Sequence, residues 1–457
     1  MKLPWRIAAV TYAALLMQLV CGFSVPPARH YVGMLIVTAA PAYQPLAAQK
    51  GGERFPKGAR LLLMREGYAT PLIEGFAETA DANISFDAKC LLFAGKQNAG
   101  DPWSIWEFAF ADRSVRKVVG GNADVIRPLY LPGDRLVFAR RTRHGFQMEA
   151  ANLDGSSIFP LTYMAASAVP EAVLADGRIL FEAGFPLGRE INHGGVPELF
   201  LVYSDGSGVE SYRCDHGAGR WGGTQVASGD VVFTHGARLA RFTSSLATEA
   251  PIAAPKADYA GAVVETESGA WVLSARSAPG TRYSLKLWRP GQATFEHLLS
   301  RDDEDLVEPV LLAARNRPNQ HPTALHKWDY ANLLALDARQ SREGALRGQP
   351  AAIRMESLDA KGNASTLGTA PVEADGSFFV KVPGDTPIRF TLLDDKGGVL
   401  RAEQGWFWIR KGEQRYCVGC HTGPEHAPEN RVPQVLLRTT TPVDLTGAVN
   451  HASRGGQ

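Results

Sequence analysis

The sequence predicts an all-β chain: an N-terminal β-propeller of about six blades (five or seven stay open), a small β-sandwich middle domain, and a short C-terminal segment around one cysteine motif. Three observations carry this. Glycine (46 residues) and proline (29) are plentiful, and long amphipathic helical patterns are scarce, which is the profile of short strands joined by turns. A unit of strands and Asp-Gly turns recurs between about residues 58 and 310. Beyond a break near 311–325, a second set of strands follows without that period. A chain of 457 residues is also too long for one ordinary core. The expected divisions are 1–48 as an export segment, 49–310 as the propeller, 311–412 as the sandwich, 413–445 as the motif segment and 446–457 as a loose tail.

The first division rests on the N-terminus. Lys2 and Arg6 precede the apolar run from Ile7 to Val20, and a second apolar stretch, Val32 to Ala40, leads into Ala40-Pro41-Ala42 and Leu46-Ala47-Ala48. A basic start, an apolar centre and small residues at a possible cut make a secretory signal. The expected location is therefore periplasmic. Membrane association is expected only if the segment stays uncleaved, since each run falls short of about 18 apolar residues. Formal net charge is +1 with the charges dispersed, so no nucleic-acid partner is expected.

In the propeller region, Leu91-Leu92-Phe93, Leu136-Val137-Phe138, Ile179-Leu180-Phe181, Val231-Val232-Phe233 and Trp271-Val272-Leu273 are the equivalent strands. Their last residues are separated by 45, 43, 52 and 40 positions. Asp-Gly pairs such as Asp154-Gly155 and Asp205-Gly206 mark the hairpins, because that pair accepts the positive φ angles of a tight turn. A period of 40 to 50 with several short strands per unit is the signature of blades, each burying its faces on its neighbours. Arg60 to Met64 and Thr70 to Ile73 are expected to complete the last blade and close the ring. The alternation of these strands and turns resembles TolB-like propellers.

Ala314 to Pro322 reads as an extended linker. Tyr330 to Leu336, Ala352 to Leu358, Pro371 to Val382 and Ile388 to Leu393 then read as sandwich strands, with turns at Asp375-Gly376 and Lys396-Gly397.

Cys417-Val418-Gly419-Cys420-His421 carries the chemistry. Two thiols three positions apart can add to the two vinyl groups of haem, and the adjacent imidazole can ligate the iron. One covalent haem c is therefore expected on Cys417, Cys420 and His421. A zinc site would need a second CxxC, and a redox dithiol would need a surrounding βαβ unit. The sixth iron position has several candidates: His426, five residues beyond His421, then His451, His321, His326 and Met355, with His193 and His216 in propeller loops. Trp406, Phe407, Trp408 and Tyr416 read either as sandwich core or as a haem wall. Arg410, Lys411 and Arg415 could pair with propionates. Of the other cysteines, Cys21 falls in the export segment. Cys90 reads as a core thiol, and a Cys90–Cys214 disulfide is permitted.

From roughly residue 310 to 440 the sequence resembles the hydrazine synthase alpha subunit family. The matching residues are Pro371-Val372-Glu373-Ala374-Asp375-Gly376-Ser377-Phe378, Val382-Pro383-Gly384-Asp385-Thr386-Pro387, Leu392-Leu393-Asp394-Asp395, and Gln404-Gly405-Trp406 through to His421, with Ala427 to Arg431 beyond. The resemblance implies a propeller, a middle β domain and a periplasmic haem set between domains. Active members carry further haem in a C-terminal domain and use a tyrosine shortly after the motif histidine as iron ligand. Here Glu425 stands at that spacing, so His421 is the expected axial ligand. The leading expectation is a monohaem electron-transfer protein, or a haem-bearing subunit of a redox complex, with a redox partner protein. An open-iron enzyme acting on a small nitrogen or oxygen species, and a scaffold with structural haem, are the alternatives.

Overall fold

The computed structural model describes residues 33–143, 145–185, 196–212, 219–244, 247–340, 346–359, 361–403, 405–419 and 431–447. Ile7 to Val20, Cys21, His193, Cys214, His216, Glu425, His451 and the tail beyond 447 lie outside them.

Six antiparallel blades form the propeller, as the period predicts. The first comprises Glu78–Ile84, Cys90–Lys96, Ser104–Ala109 and Val115–Val119. The second runs from Val125–Leu131 to Phe159–Pro160, the third from Ala168–Val173 to Glu210–Ser211, the fourth from Arg220–Gln225 to Ala250–Pro251, and the fifth from Asp258–Tyr259 to Glu296–Leu299. Phe93, Phe138, Phe181, Phe233 and Leu273 each sit on the second long strand of a blade and are all but fully buried. Their spacing was legible because each fills the same gap between neighbouring sheets.

The sixth blade joins the two ends of the propeller region. Asp305–Leu311 pairs with Leu35–Ala40, which pairs with Arg60–Arg65, which pairs with Tyr68–Pro71. This corrects the expected boundary at residue 48. The second apolar stretch is a strand of the folded propeller, and all six residues of Leu35–Ala40 are buried. A short, largely apolar run looks the same in an export segment and in a strand covered on both faces. Here it lies between two strands of its own blade, with blades on either side. Ala48 is buried too, in a short 3-10 turn at Ala48–Lys50.

The innermost strands surround an axial channel of about 880 Å³. Strand register breaks near the same level in successive blades, between Ala80 and Asn83, Ile126 and Leu129, Pro170 and Ala172, and Trp221 and Thr224. At these bulges the backbone enters the left-handed region at Asp81 (φ 58°), Arg127 (φ 53°) and Gly222 (φ 64°), and at Glu308 (φ 53°) in the closing blade. Glycine takes that conformation without strain, whereas the three charged residues adopt it at some cost. The Asp81 and Glu308 side chains meet Arg54 from the excursion between the first two strands of the chain, and Arg127 stands 3.7 Å from Glu308. Arg54 pairs with both Asp81 and Glu308, Arg127 reaches Glu171 at 2.9 Å, and Tyr43 Oη donates to Glu308 at 3.2 Å. The excursion is thus bolted across the inner strands by buried charge.

From Leu312 the chain crosses the propeller surface as the expected linker. The Arg315 amide donates to Phe86 O and that of Asn319 to Ala175 O, while His321 stacks on Tyr203 at 4.2 Å. The sandwich then forms from two four-stranded sheets. One is ordered Gln414–Cys417, Tyr330–Ala335, Phe378–Pro383, Val443–Asp444; the other Ala364–Pro371, Ala352–Leu358, Ile388–Leu393, Val399–Ala402. Leu333, Phe378, Val380 and Val382 of the first pack on Ile353, Met355, Phe390 and Leu392 of the second. The expected division at 412 also shifts. Gln414–Cys417 and Val443–Asp444 are edge strands of the sandwich, so the domain takes in both ends of what read as a separate motif segment. A four-residue strand paired in parallel leaves no hairpin signal in sequence.

Candidate functional site

Glu413 precedes a strand that ends on the first motif cysteine. Gln414–Cys417 lies in parallel beside Tyr330–Ala335, with Cys417 opposite Ala335. The Leu336 amide donates to Cys417 O at 2.8 Å, which fixes the backbone where the motif begins. The Cys417 thiol is free, half-buried at the edge of the sandwich core, and donates to Gly419 O at 3.1 Å. Burial raises its pKa above the ordinary thiol value, opposed by Gly419 and Arg415. Cys420, His421 and His426 lie outside the described residues.

The described chain resumes at Arg431, beside the turn that precedes Phe378. Alternate Cβ atoms along a strand point to opposite faces, and Cys417, Ala335 and Phe378 are opposite one another across three adjacent strands. At a spacing of ~4.8 Å per strand, Cys417 and Phe378 are about 10 Å apart. The turn Asp375-Gly376-Ser377 immediately precedes Phe378. Its Asp375 carboxylate accepts from the Arg431 guanidinium and, at 2.8 Å, from the Gln434 amide. Ser377 Oγ accepts from the Val435 amide at 3.1 Å and donates to Asp375 at 2.6 Å. These contacts hold the short helix Gln434–Arg438 to the sheet. They lower the Asp375 pKa to about 2, against a desolvation that alone would raise it.

The approach to Cys417 is gripped by the propeller. Trp408 is fully buried among second- and third-blade residues, including Leu131, Met148 and Phe181. Arg410 Nη1 donates to Tyr163 Oη at 2.7 Å and to Pro160 O at 3.2 Å. Glu413 accepts from the Gly208 amide at 3.2 Å and the Arg410 amide at 2.9 Å, and Arg415 donates to Val209 O. The motif strand is thereby fixed between the sandwich and the Asp205-Gly206 turn of the third blade.

These placements decide several sequence expectations. Trp408 is core of the domain interface. Trp406 is buried beneath Arg389, 4.5 Å from its ring, and Phe407 packs on Phe390. Neither forms an open wall beside the motif. Tyr416 is the exception, 67% exposed next to Cys417. Arg410 and Arg415 bind the propeller. Met355 is wholly buried in the sandwich core and cannot reach an iron outside it. The His326 amide bonds Gly412 O and its ring stacks on Trp328 at 4.3 Å. The Gly412 amide also bonds Tyr330 O, at one end of the strand whose other end, Ala335, is opposite Cys417, so His326 lies about 16 Å of strand away from the motif. His321 is taken up against Tyr203. Sequence reasoning missed the roles of Glu413 and Asp375. The Asp375-Gly376-Ser377 turn was visible, but its hold on Arg431 and Gln434 depends on folding. Among the described residues no three His, Cys, Asp or Glu side chains gather as a metal site, and no helix is long and apolar enough to cross a membrane.

The residues that do fit a covalent haem are those of the motif. Cys417 presents a thiol that is not in a disulfide, at a strand end, with the chain running on through Val418 and Gly419 toward the second cysteine.

The profile of the hydrazine synthase alpha subunit middle domain matches residues 331–422, a stretch that includes the whole motif. Hydrazine synthase subunit alpha of Kuenenia stuttgartiensis is 37% identical over 57 residues, 12% of this chain and 7% of that protein. The solved Kuenenia stuttgartiensis hydrazine synthase superposes with a TM-score of 0.77 at 16% identity, covering 89% of this chain and 72% of that one. TolB from Acinetobacter baumannii aligns over 68% of this chain and 73% of its own, at 13% identity and a TM-score of 0.45. The aligned sequence thus spans a small part of the curated relative's length, while the shared fold extends over most of this chain. Residues 331–422 thus resemble the hydrazine synthase alpha subunit middle domain, and the six-bladed propeller followed by that domain is the fold shared with the solved hydrazine synthase.

Proposed function

We propose that the chain is an exported monohaem c-type protein that passes electrons, as a subunit of a periplasmic redox assembly. The observation that carries this reading is the CxxCH motif starting on a strand held from two sides. In this reading the Cys417 and Cys420 thiols add across the two vinyl groups to form thioethers, and the His421 imidazole is an axial ligand. Bound haem supplies a one-electron iron couple. The protein's part is to position and shield. The strand Gln414–Cys417 presents the first thiol, and the exposed Tyr416 ring stands beside it. Partner subunits are part of the proposal, since the relative's name marks it as a subunit. The propeller offers the larger surface for them.

Full-length protein matured in a host that attaches c-type haem should show a reduced α-band and the added mass of one haem. Cys417→Ala/Cys420→Ala should lose the covalent link. A colourless wild-type protein of unaltered mass overturns the reading. A second reading, an open-iron enzyme, is favoured by the match to a synthase subunit. Low-spin iron that ignores CO supports electron transfer; high-spin iron that binds CO supports the enzyme.

A further inference from the structure

The axial channel of the propeller is closed at one end and roofed in part at the other. The floor is the excursion between the first two strands, which reaches five blades. Arg54 pairs with Asp81 of the first blade and Glu308 of the sixth, and Gly51 O accepts from Arg141 of the second. The Ala48–Lys50 turn lies against the third blade, and the Tyr43 ring meets Tyr283, beside the fifth, at 6.2 Å. At the opposite end the linker crosses the mouth. Its Arg315 amide bonds Phe86 O over the first blade, and its Asn319 amide bonds Ala175 O over the third. On the side the linker leaves uncovered, the exposed residues Ala227 and Glu267 of the fourth and fifth blades line the channel.

A volume of about 880 Å³ suits a small organic molecule, and the lining selects its chemistry. At the floor, left-handed backbone brings Asp81, Arg127 and Glu308 to one level. Strain of this kind collects where a chain grips a ligand. Asp81 is taken up by Arg54 and by the Arg127 amide, whereas the side chains of Arg127 and Glu308 stay 19% and 11% exposed. A hydroxyl satisfies both, donating to the carboxylate and accepting from the guanidinium. Above them Leu129, Val173, Val263 and Val310 give the walls an apolar stretch. At the linker, Arg315 Nη2 donates to Ile84 O at 3.0 Å, and the guanidinium lies 4.7 Å from the Phe86 ring centroid. Among the described residues no carboxylate pairs with Arg315 or with Arg317 two positions on. A guanidinium fixed without a counter-ion at the end of an apolar tube is a site for a carboxylate. The two levels are marked by Asp81 and Ile84, three residues apart on one strand, or about 10 Å.

We propose that the channel binds a linear organic acid of about six carbons that carries a hydroxyl at its far end. Its carboxylate meets Arg315 and its hydroxyl sits between Arg127 and Glu308. The site draws nothing from the cysteine motif, so it stands or falls apart from the function proposed above.

The experiment titrates 6-hydroxyhexanoate, hexanoate and 1,6-hexanediol into the full chain by calorimetry. The hydroxy acid should bind at about 1 mM or tighter. The diol lacks the charge and should bind about tenfold more weakly, with hexanoate, which lacks the floor bonds, between the two. Arg315→Gln should weaken both acids about tenfold and leave the diol unchanged, a split that a general loss of structure does not produce. Ala262→Phe, on a half-buried residue of the channel wall, should abolish binding of all three. Arg238→Gln, exposed on the outer hairpin of the fourth blade, should match wild type. No binding of the hydroxy acid at ~10 mM overturns the proposal. Acid and diol bound alike, or Arg315→Gln binding the acids as wild type does, overturns it too. Binding that survives Ala262→Phe with an unchanged circular dichroism spectrum puts the acid outside the channel and has the same consequence.

Discussion

Two clusters of buried charge hold remote parts of this chain together, and they are balanced in opposite ways. In the propeller channel, Asp81, Glu171, Glu182 and Glu308 surround Arg54 and Arg127, so carboxyl groups outnumber guanidinium groups. Burial, with Glu182 alongside, pushes Glu171 well above the ordinary carboxylate range, and burial raises Glu182 as well, against the opposing pull of Arg127 and a hydrogen bond with Glu171. At the sandwich end, Asp375 meets Arg431, two amides and a hydroxyl, and its pKa falls to about 2. The lesson concerns what each cluster is built to tolerate. The channel cluster ties a whole excursion, residues 41–59, across the ring, and keeps a proton to limit its charge. The sandwich cluster ties a short arm and is fully ionised at neutral pH.

The strongest way to break the comparison is at Arg54. Its side chain is 3% exposed and touches both Asp81 and Glu308. Arg54→Met leaves two buried carboxylates with less compensation, a loss of about 3–5 kcal/mol. Urea unfolding should show the propeller transition moving far more than the sandwich transition. Equal movement of both would mean that the channel cluster does not stabilise the propeller locally.

Much of this was legible in the sequence, and what was not has physical causes. The blade period could be read because Phe93, Phe138, Phe181 and Phe233 fill equivalent gaps. The sandwich core could be read from alternation, as in Ala352–Leu358, where Ile353 and Met355 are wholly buried. Leu35–Ala40 was misplaced because a fully buried strand has no alternation to distinguish it from an export segment. The channel cluster gave no signal, since Arg54, Asp81, Arg127 and Glu308 are spread over more than 250 positions and meet only once the ring closes. The roles of Trp408, Arg410 and Glu413 were hidden for the same reason. The sequence shows an aromatic and basic run beside the motif, but only the folded chain shows that it inserts between blades.

The next effect sharpens the difference in sign. Glu171 and Glu182 hold a proton more tightly in the folded chain than in the unfolded one. Their contribution is fully present below the ordinary glutamate range and is lost as pH rises through the raised folded value. Over that window stability should fall with a slope approaching about 1.4 kcal/mol per pH unit for each proton released. Glu182→Gln, which removes one titrating partner and keeps the shape, should flatten the slope. Thermal unfolding between pH 5 and 9 measures it, and a Glu182→Gln profile parallel to wild type would remove Glu182 from the account.

The smallest effect lies at the other cluster and runs the other way. The Asp375 pKa falls from 3.8 to about 2 on folding, so its contribution is present above the ordinary aspartate value and is lost as pH falls through the folded one. A depression of that size, discounted for water at the domain edge, corresponds to about 1–2 kcal/mol. Asp375→Asn should therefore cost stability at pH 7 and very little at pH 2, so the gap between the two proteins should close on acidification. The Glu182→Gln gap should change on the alkaline side instead. If both gaps changed over one pH range, the clusters would be coupled through the Trp408 interface. That interface is the place to look next, because Arg410 and Glu413 join the third-blade turn to the strand that ends at Cys417.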